Sequence, residues 1–208
     1  MTKIELIPDI LVSYYYHAAR DAADLALQQK VPDSLQNAII AVVMSQCALE
    51  AYINHYISQN QLSKHKVDIC QNGKCLRKEL SAASIRDKWE QVPIVVNGHK
   101  WDTTNPPFTR FSELVGQRND LIHFDAKKYI HIYNSPTDIS HTDDLSPLIQ
   151  DGKWLAGSKI LKLAAIGVSG PKIIHDMISG LHDMLGTKPP DFLNSEKVIF
   201  RIKILETT

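Results

Sequence analysis

Apolar residues recur at helical spacing over two long stretches near the start of the chain. A first helix is predicted from Asp9, which can cap its N-terminus, to about Gln29. Its apolar face comprises Val12, Tyr15, Tyr16, Ala19, Ala22, Ala23 and Ala26. Pro32 is typical of a helix start, and a second helix is predicted from there to about Asn60. The pattern therefore predicts that two long helices open the protein.

A turn and a shorter helix follow this pair. Asn72-Gly73 is a strong signal for a two-residue hairpin turn, and it would place Cys70 opposite Cys75. The apolar spacing then predicts a third helix from Leu76 to Gln91. We expect that helix to end near Pro93, because proline has no backbone N–H to continue it.

The second half of the chain contains two more predicted helices around a turn-rich insert. The fourth helix is predicted from about Thr109 to Phe124. Residues 126–157 are rich in turn formers and form the insert, in which Lys128–Tyr133 could be a short strand. The last helix is predicted over Ser158–Leu185, with a break or kink at Gly167–Pro171.

The C-terminal tail, residues 191–208, is strand-like. From Lys197 to Leu205, apolar residues alternate with Arg201 and Lys203, which is typical of a strand, and Lys128–Tyr133 could be its partner. Residues 1–208 are thus predicted to form one mainly α domain, an antiparallel helical bundle with small β additions.

Composition and charge narrow the classes of partner. The 208 residues are 44% hydrophobic and 22% charged, which fits a globular protein and excludes disordered and fibrous ones. Lys+Arg and Asp+Glu both number 23, so no net positive field draws the chain to DNA or an anionic membrane. The start lacks a signal-peptide pattern, and the apolar stretch Ala38–Met44 is too short to span a bilayer. We therefore expect a cytoplasmic protein whose RNA contacts, if any, need a local basic patch.

The chain has three cysteines, and this odd number indicates that they are not the framework of a disulfide-stabilised fold. Cys47 lies in the second helical pattern and is expected to be a small core residue. Cys70 and Cys75, with His65 upstream, could be metal ligands, but the spacing matches no recognised zinc pattern and a fourth ligand is missing. We therefore predict a reduced hairpin, no metal and no other cofactor.

Two other groups of residues have a structural and a functional interpretation. Tyr14-Tyr15-Tyr16 could stack on nucleic-acid bases, although packing within the first helix is favoured. His175 and His182 lie seven positions apart on one face of the last helix. We expect surface or partly buried histidines there, with a pair of metal ligands as the alternative.

One charged residue interrupts the apolar stripe of each of two helices. The stripe of the fourth helix contains Arg118 among Phe111, Leu114, Val115, Leu121 and Ile122. The stripe of the second helix contains Glu50 among Ile39, Val42, Val43, Gln46, Leu49, Ile53 and Ile57. Because an unpaired buried charge is costly, Arg118 should pair with Glu50 or open onto a cleft or a subunit interface. Such a pair could also serve only to fix helix register.

The segment Arg118-Asn119-Asp120-Leu121-Ile122-His123 resembles the signature of HEPN (higher eukaryotes and prokaryotes nucleotide-binding) domains, in which Arg and a polar residue precede His. Residues 48–54 resemble the long second helix of that family. Residues 85–89, which precede Pro93, resemble the element ahead of its signature helix. The resemblance covers about residues 9–125.

The resemblance implies a helical bundle that forms a homodimer by packing two signature helices around a two-fold axis. In catalytic members it implies a metal-independent endoribonuclease, with two Arg–His pairs in one cleft. His123 would be the general acid/base for attack of a ribose 2′-hydroxyl on the adjacent phosphate, giving a 2′,3′-cyclic phosphate and a 5′-hydroxyl. Arg118 would bind the phosphate and its developing charge. Asn119 would orient His123 or bind the RNA backbone, and Glu50 would hold Arg118.

The residues after the signature extend this hypothesis. Lys127 and Lys128 could contact a phosphate, or be a solvated pair. Asp125 stands where some toxin members carry a tyrosine that a partner enzyme modifies, so that regulation is not expected; its charge could weaken RNA binding or tune His123. A toxin or defence effector with an antitoxin or defence-system partner is the first hypothesis. The alternative is a HEPN-like module that binds RNA, a nucleotide or a protein without cutting.

Overall fold

The computed structural model describes residues 3–6, 8–29, 33–71, 73–122, 159–195 and 202–205. In this part the chain is mainly helical, as predicted, with two small antiparallel sheets. The helices are α1 (Pro8–Gln28), α2 (Asp33–Gln59), α3 (Ile85–Asn97), α4 (Phe108–Ile122) and α5 (Lys159–Leu185). The strands are β1 (Lys3–Leu6), β2 (Lys66–Gln71), β3 (Lys74–Glu79) and β4 (Ile202–Leu205). None of the described helices has the length and apolar character needed to cross a membrane.

The first two helices lie where the apolar spacing predicts them. The predicted face of α1 is buried except for Tyr15, which is half-buried against the core. At the turn between the helices, the Ser34 hydroxyl donates to the Ala26 carbonyl at 2.6 Å. This bond satisfies one of the carbonyls that a helix end leaves without a partner. It also ties the start of α2 to the end of α1.

The pairing of α2 with α5 depends on two glycines. A Cβ atom on Gly167 would collide with the Ala38 carbonyl, and one on Gly170 would collide with the Ser45 hydroxyl. The missing side chains let the two helix backbones approach closely. Of the predicted break or kink at Gly167–Pro171, the break is wrong, because α5 is one continuous helix through this stretch. The glycines there mark a helix–helix contact.

The third helix differs from its prediction at both ends. Leu76–Glu79 is strand, because the hairpin needs a second strand as long as its first, and α3 begins only at Ile85. The Ser84 hydroxyl caps this start by accepting from the Asp87 N–H at 3.2 Å. The predicted stop near Pro93 is also wrong. The carbonyl of Trp89, which a residue at position 93 would normally pair with, accepts instead from the Trp101 indole N–H at 2.8 Å, so the helix continues to Asn97.

The predicted Asn-Gly hairpin is confirmed as the β2–β3 pair. Val67 and Ile69 are buried against the core, while every residue of β3 is exposed. Cys70 and Cys75 face each other across the turn and are joined by a disulfide, which corrects the predicted reduced state. Directly opposed residues of a hairpin have their Cβ atoms close enough for the two sulfur atoms to bond. Sulfur atoms bonded to each other cannot also act as thiolate metal ligands.

The strand-like tail is confirmed for β4, which pairs with β1 in antiparallel register from Lys3 opposite Leu205 to Leu6 opposite Ile202. The start of the predicted tail is not strand-like, because Asp191–Asn194 forms a short 3-10 helix. The predicted partner, Lys128–Tyr133, and the turn-rich insert at 126–157 lie outside the described residues. The two chain ends of the described fold therefore meet in one two-stranded sheet.

The core lies between all five helices, and its aromatic part lies where α2, α3 and α4 meet. Trp89 is fully buried there, with the ring of Tyr52 stacked on it at a centroid distance of 6.0 Å. Phe108 and Phe111 at the start of α4 pack edge to face with centroids 5.5 Å apart, and Phe111 also contacts Trp89. This aromatic cluster fixes the position of α4, the helix that contains the predicted signature.

Candidate functional site

The start of α4 is anchored in the core, and its end projects residues to the surface. Phe108, Phe111 and Leu114 are fully buried. The apolar stripe predicted for this helix does not continue to the end, because Ile122 is 53% exposed. Arg118 is partly buried and Asn119 is exposed. Arg118 and Asn119 therefore lie at the accessible end of α4, whose other end is packed in the core.

Within the described residues, Arg118 is hydrogen-bonded to its neighbour in the sequence. Its guanidinium donates to the side-chain oxygen of the adjacent Asn119 at 3.3 Å. This contact holds the two predicted site residues side by side. It uses one of the five N–H donors of the guanidinium, so donors remain for an anion.

The thiol of Cys47 on α2 lies within electrostatic range of both Glu50 and Arg118. Burial raises the pKa of the Cys47 thiol, the Glu50 carboxylate raises that pKa further, and the Arg118 guanidinium lowers it. The two charges therefore have opposite effects on the pKa of the same thiol. Arg118 of α4 therefore acts electrostatically on Cys47 of α2, and these two helices are in contact.

The predicted ion pair between Glu50 and Arg118 is not formed. The ion pairs of the described residues do not include one between these two side chains within 4 Å, and Glu50 is exposed rather than buried on the apolar stripe. A carboxylate that stays hydrated needs no fixed partner, and an exposed ion pair contributes little to the stability of the fold. Glu50 therefore does not hold Arg118 in place.

We define the Arg118 face as Cys47, Glu50, Arg118, Asn119 and Ile122. It combines a partly buried cation, an exposed carboxylate and amide, and apolar side chains that remain accessible in the single chain. The half-buried Val43 and the exposed Ile40 lie four and seven positions before Cys47 and so continue the same side of α2. This mixed surface has the apolar character of an interface around a charged centre.

Four of the predicted site residues cannot be placed. His123 follows directly after the last residue of α4, and Asp125, Lys127 and Lys128 come soon after it; all four lie outside the described residues. The structure places Arg118 beside Asn119, both Arg118 and Glu50 act electrostatically on Cys47, and the position of His123 stays a prediction.

A groove lies on another side of α4, against α5. Its volume is about 510 Å³, and it is lined by Arg110, Glu113, Gly116, Gln117, Asp120, Lys162, Ala165 and Ile166. The charges in it are balanced, and Arg110 is bound to Glu113 at 3.1 Å. Arg118 does not line this groove, so the predicted site and the groove use different sides of one helix.

A second polar site, which the sequence analysis did not find, surrounds His182 near the end of α5. His182 is only 9% exposed. Its Nε2 is hydrogen-bonded to the Tyr52 hydroxyl, and its Nδ1 lies 2.6 Å from the Thr187 hydroxyl. His175 has a different environment, because it is partly exposed and lies 3.6 Å from Asp176. The pairing of the two histidines as metal ligands is therefore not formed, and the described residues contain no group of three metal-ligating side chains.

The sequence does contain a weak signal for this second site. His182 follows the buried Ile174 and Ile178 at spacings of eight and four, so it lies on the apolar stripe of α5. A histidine on such a stripe indicates a buried imidazole with specific partners. The identity of the partner Tyr52, 130 residues away, is visible only in the folded chain.

Acid is expected to destabilise the protein through His182. Burial lowers the pKa of His182 below 6.5, and the nearby Asp183 only partly opposes this. Below pH 6.5 the unfolded chain takes up a proton at this residue before the folded chain does. The contribution of His182 is therefore complete above pH 6.5 and declines as the pH falls, by at most about 1.4 kcal/mol per pH unit.

Urea unfolding at pH 7.5, 6.5 and 5.5 checks this expectation. His182→Gln should flatten the fall in the free energy of unfolding, because an amide does not titrate in this range. His175→Gln, on the same helix but partly exposed, should leave the slope as in the wild type. Identical slopes for the wild type and both variants would contradict the assignment.

Comparison with known proteins identifies no family for the chain. The resemblance at residues 118–123 therefore depends on those residues and on the helices around them. No protein-family model, no curated protein and no solved structure matches this chain.

Proposed function

We propose that this chain is a metal-independent endoribonuclease whose active site forms when the Arg118 faces of two copies meet. The proposal depends on one observation, the burial and the hydrogen-bonding environment of Arg118. It is partly buried at the accessible end of α4, and no carboxylate in the described part of the chain lies within 4 Å of it. A guanidinium held in this way is available to an anion such as an RNA phosphate.

The apolar residues of the Arg118 face support the dimer. Ile122 is 53% exposed and Ile40 is 38% exposed, so association would remove apolar area from water. A two-fold axis through this face would bring each Arg118 close to its symmetry mate. The resulting concentration of positive charge can bind one phosphodiester.

The chemistry follows from the residue types. An imidazole, that of His123, takes the proton of a ribose 2′-hydroxyl while the 2′-oxygen attacks the adjacent phosphorus. Arg118 binds the non-bridging oxygens, whose negative charge increases in the transition state. The bond from phosphorus to the 5′-oxygen breaks, and a protonated imidazole supplies the proton of the new 5′-hydroxyl. The other product ends in a 2′,3′-cyclic phosphate.

The test is incubation of the purified chain with RNA in EDTA. We expect cleavage, 5′-hydroxyl ends that polynucleotide kinase can phosphorylate directly, and a dimer by light scattering. His123→Ala, purified identically, reveals any contaminating nuclease. Cleavage that requires added Mg²⁺, products with 3′-hydroxyl ends, or intact RNA with the wild type would contradict the proposal. RNA that is bound but uncut would instead support the non-catalytic alternative.

A further inference from the structure

The second strand of the hairpin, β3, has an edge without a sheet partner. In the part of the chain that the structure describes, the sheet contains β2 and β3 alone. The two strands differ in burial, because Val67 and Ile69 of β2 are buried against the core while every residue of β3 is exposed. β3 is therefore the strand that lies away from the core, and a further strand can reach its free edge.

The register of the hairpin shows which backbone groups face that edge. The Leu80 N–H donates to the His65 carbonyl at 2.8 Å, so these two residues continue the ladder as a hydrogen-bonded pair. Hydrogen-bonded and non-hydrogen-bonded pairs alternate along antiparallel strands. Counted back from Leu80, the backbone N–H and C=O groups of Cys75, Arg77 and Glu79 point away from β2. Within the described residues, no backbone hydrogen bond uses these groups.

One face of β3 presents two cations on either side of an apolar residue. We define this Leu76 face as Lys74, Leu76 and Lys78, which point to the same side because strand residues alternate. All three are exposed, and Leu76 is 62% exposed. The residues opposite them in β2 carry no charge, and the ion pairs of the described residues include neither lysine. The positive charge of this face is therefore unbalanced.

The other face of β3 is balanced within the hairpin. Arg77 lies opposite Asp68, and Glu79 lies opposite Lys66. Opposite charges in directly opposed positions of two strands attract each other. The charge that can select a partner is therefore that of the Leu76 face.

A second copy of the chain does not fit this edge. Two β3 strands related by a two-fold axis would pair antiparallel, with their Leu76 faces on the same side. With Leu76 opposite its symmetry mate, each Lys74 lies opposite a Lys78, and centring on Arg77 opposes two arginines. Like charges in directly opposed positions are destabilising, so these lysines protect the edge from self-pairing. A strand with carboxylates opposite the lysines does not meet this repulsion.

We propose that the free edge of β3 binds an extended acidic segment of a partner protein as an antiparallel third strand. The segment has an apolar residue opposite Leu76 and an acidic residue two positions to either side, opposite Lys78 and Lys74. Its backbone pairs with the outward groups of Cys75 and Arg77, which is the usual source of affinity when a peptide adds to a sheet edge. Leu76 and its apolar partner form a non-hydrogen-bonded pair, in which the side chains lie closest together.

The experiment is an NMR titration of the full chain with the end-capped peptide Thr-Glu-Thr-Val-Thr-Glu-Thr. We expect saturable shifts of the β3 amides and weaker binding at higher ionic strength. Methylating the backbone nitrogens of the two threonines beside the valine should abolish binding, because their N–H groups donate to the carbonyls of Arg77 and Cys75. Methylating the valine nitrogen is the matched control. That N–H points away from β3, so the Kd should not change.

Charge reversal tests the choice of partner. Lys74→Glu combined with Lys78→Glu should raise the Kd for this peptide about 10-fold, because two attractive pairs become repulsive. The same variant should bind a peptide in which lysines replace both glutamates, and the wild type should not. Lys172→Glu, an exposed lysine of α5, should bind the acidic peptide like the wild type.

The outcomes that contradict the proposal are distinct. Absence of saturable β3 shifts, or equal effects of the two kinds of methylation, overturns it. β3 shifts that follow protein concentration without peptide would indicate a second copy, and displacement of the peptide by oligouridylate would indicate RNA. Either result overturns the choice of partner. If the double lysine variant does not fold, the methylated peptides decide. His123→Ala should bind the peptide like the wild type, so failure of the nuclease proposal is distinguishable from failure of this one.

Discussion

Replacing Arg118 by alanine is expected to lower the rate of RNA cleavage by about 10²–10³-fold, which is the effect of removing one donor to a developing oxyanion. His123→Ala should lower it by about 10²–10⁴-fold, because the proton transfer loses its acid/base. The two losses have different causes. Arg118 stabilises the negative charge on the phosphate, whereas His123 transfers protons. Only the contribution of His123 should therefore depend on pH.

Arg118→Lys separates charge from geometry. Lysine keeps the positive charge but loses the planar fork that can bind two phosphate oxygens together. We therefore expect Arg118→Lys to retain more activity than Arg118→Ala and less than the wild type. Activity of Arg118→Lys equal to that of Arg118→Ala would show that the fork matters more than the charge.

Arg110 provides the matched control for Arg118. It lies on the same helix, its side chain is 58% exposed, and its partner Glu113 is 3.1 Å away. Arg110→Ala removes one exposed ion pair and should change the free energy of unfolding by less than about 1 kcal/mol. It should cleave RNA like the wild type. Equal loss of activity in Arg110→Ala and Arg118→Ala would indicate general electrostatic attraction of RNA and would refute a specific role for Arg118.

Local sequence patterns predicted much of the fold. The apolar spacing of α1 and α2 predicted both helices to within about two residues, because each buries one continuous stripe. The Asn72-Gly73 turn fixed the hairpin and the pairing of Cys70 with Cys75, because turn geometry sets strand register. These features depend on residues that are close together in the sequence, so they can be predicted from the sequence alone.

Other features depend on partners that are distant in sequence. The continuation of α3 past Pro93 depends on the indole of Trp101, which supplies a donor to the carbonyl that the proline leaves without one. Local propensity favours a stop there, and a tertiary hydrogen bond overrides it. The same reasoning explains why local propensity predicts a break or kink at Gly167–Pro171. In an isolated helix these residues weaken the structure, but in the fold they allow α2 to approach.

The candidate site was only partly visible from the sequence, for an electrostatic reason. The charges on two apolar stripes predict an ion pair between Glu50 and Arg118, but in the structure the two groups share only an effect on the pKa of Cys47. The ion pair itself did not follow, because helical spacing cannot show that position 50 keeps its water. The polar site at His182 was missed because Tyr52 and His182 come from helices that are far apart in the chain.

Gly167→Ala is expected to destabilise the protein by about 1–3 kcal/mol, even though alanine is the better helix former. A Cβ at position 167 would lie 2.9 Å from the carbonyl carbon and 3.0 Å from the Cα of Ala38, in addition to its collision with the carbonyl oxygen. These are backbone atoms of α2, which cannot move by changing a rotamer. The helices must separate, and the core between them loses packing.

Gly116→Ala is the matched control for this substitution. Gly116 lies in the interior of α4, and a Cβ built there meets nothing within 4 Å. The same chemical change should therefore stabilise the protein by about 0.5–1 kcal/mol, through reduced backbone entropy of the unfolded chain. Urea unfolding with unchanged m-values measures both effects. Stabilisation by Gly167→Ala comparable to that of Gly116→Ala would mean that α2 and α5 do not approach closely at Ala38.

Gly170 extends this test, because the obstacle there is a side chain. A Cβ at position 170 would meet the hydroxyl of Ser45, and its next neighbour, the Ser45 Cβ, is 3.1 Å away. Gly170→Ala alone should destabilise the protein, whereas the double variant with Ser45→Gly should recover most of the loss, because the two side chains would exchange places across the contact. The interaction free energy from this double-mutant cycle should be at least about 0.5 kcal/mol, the size expected for residues in contact. Additive effects would mean that α2 and α5 lie farther apart at this contact than the structure shows.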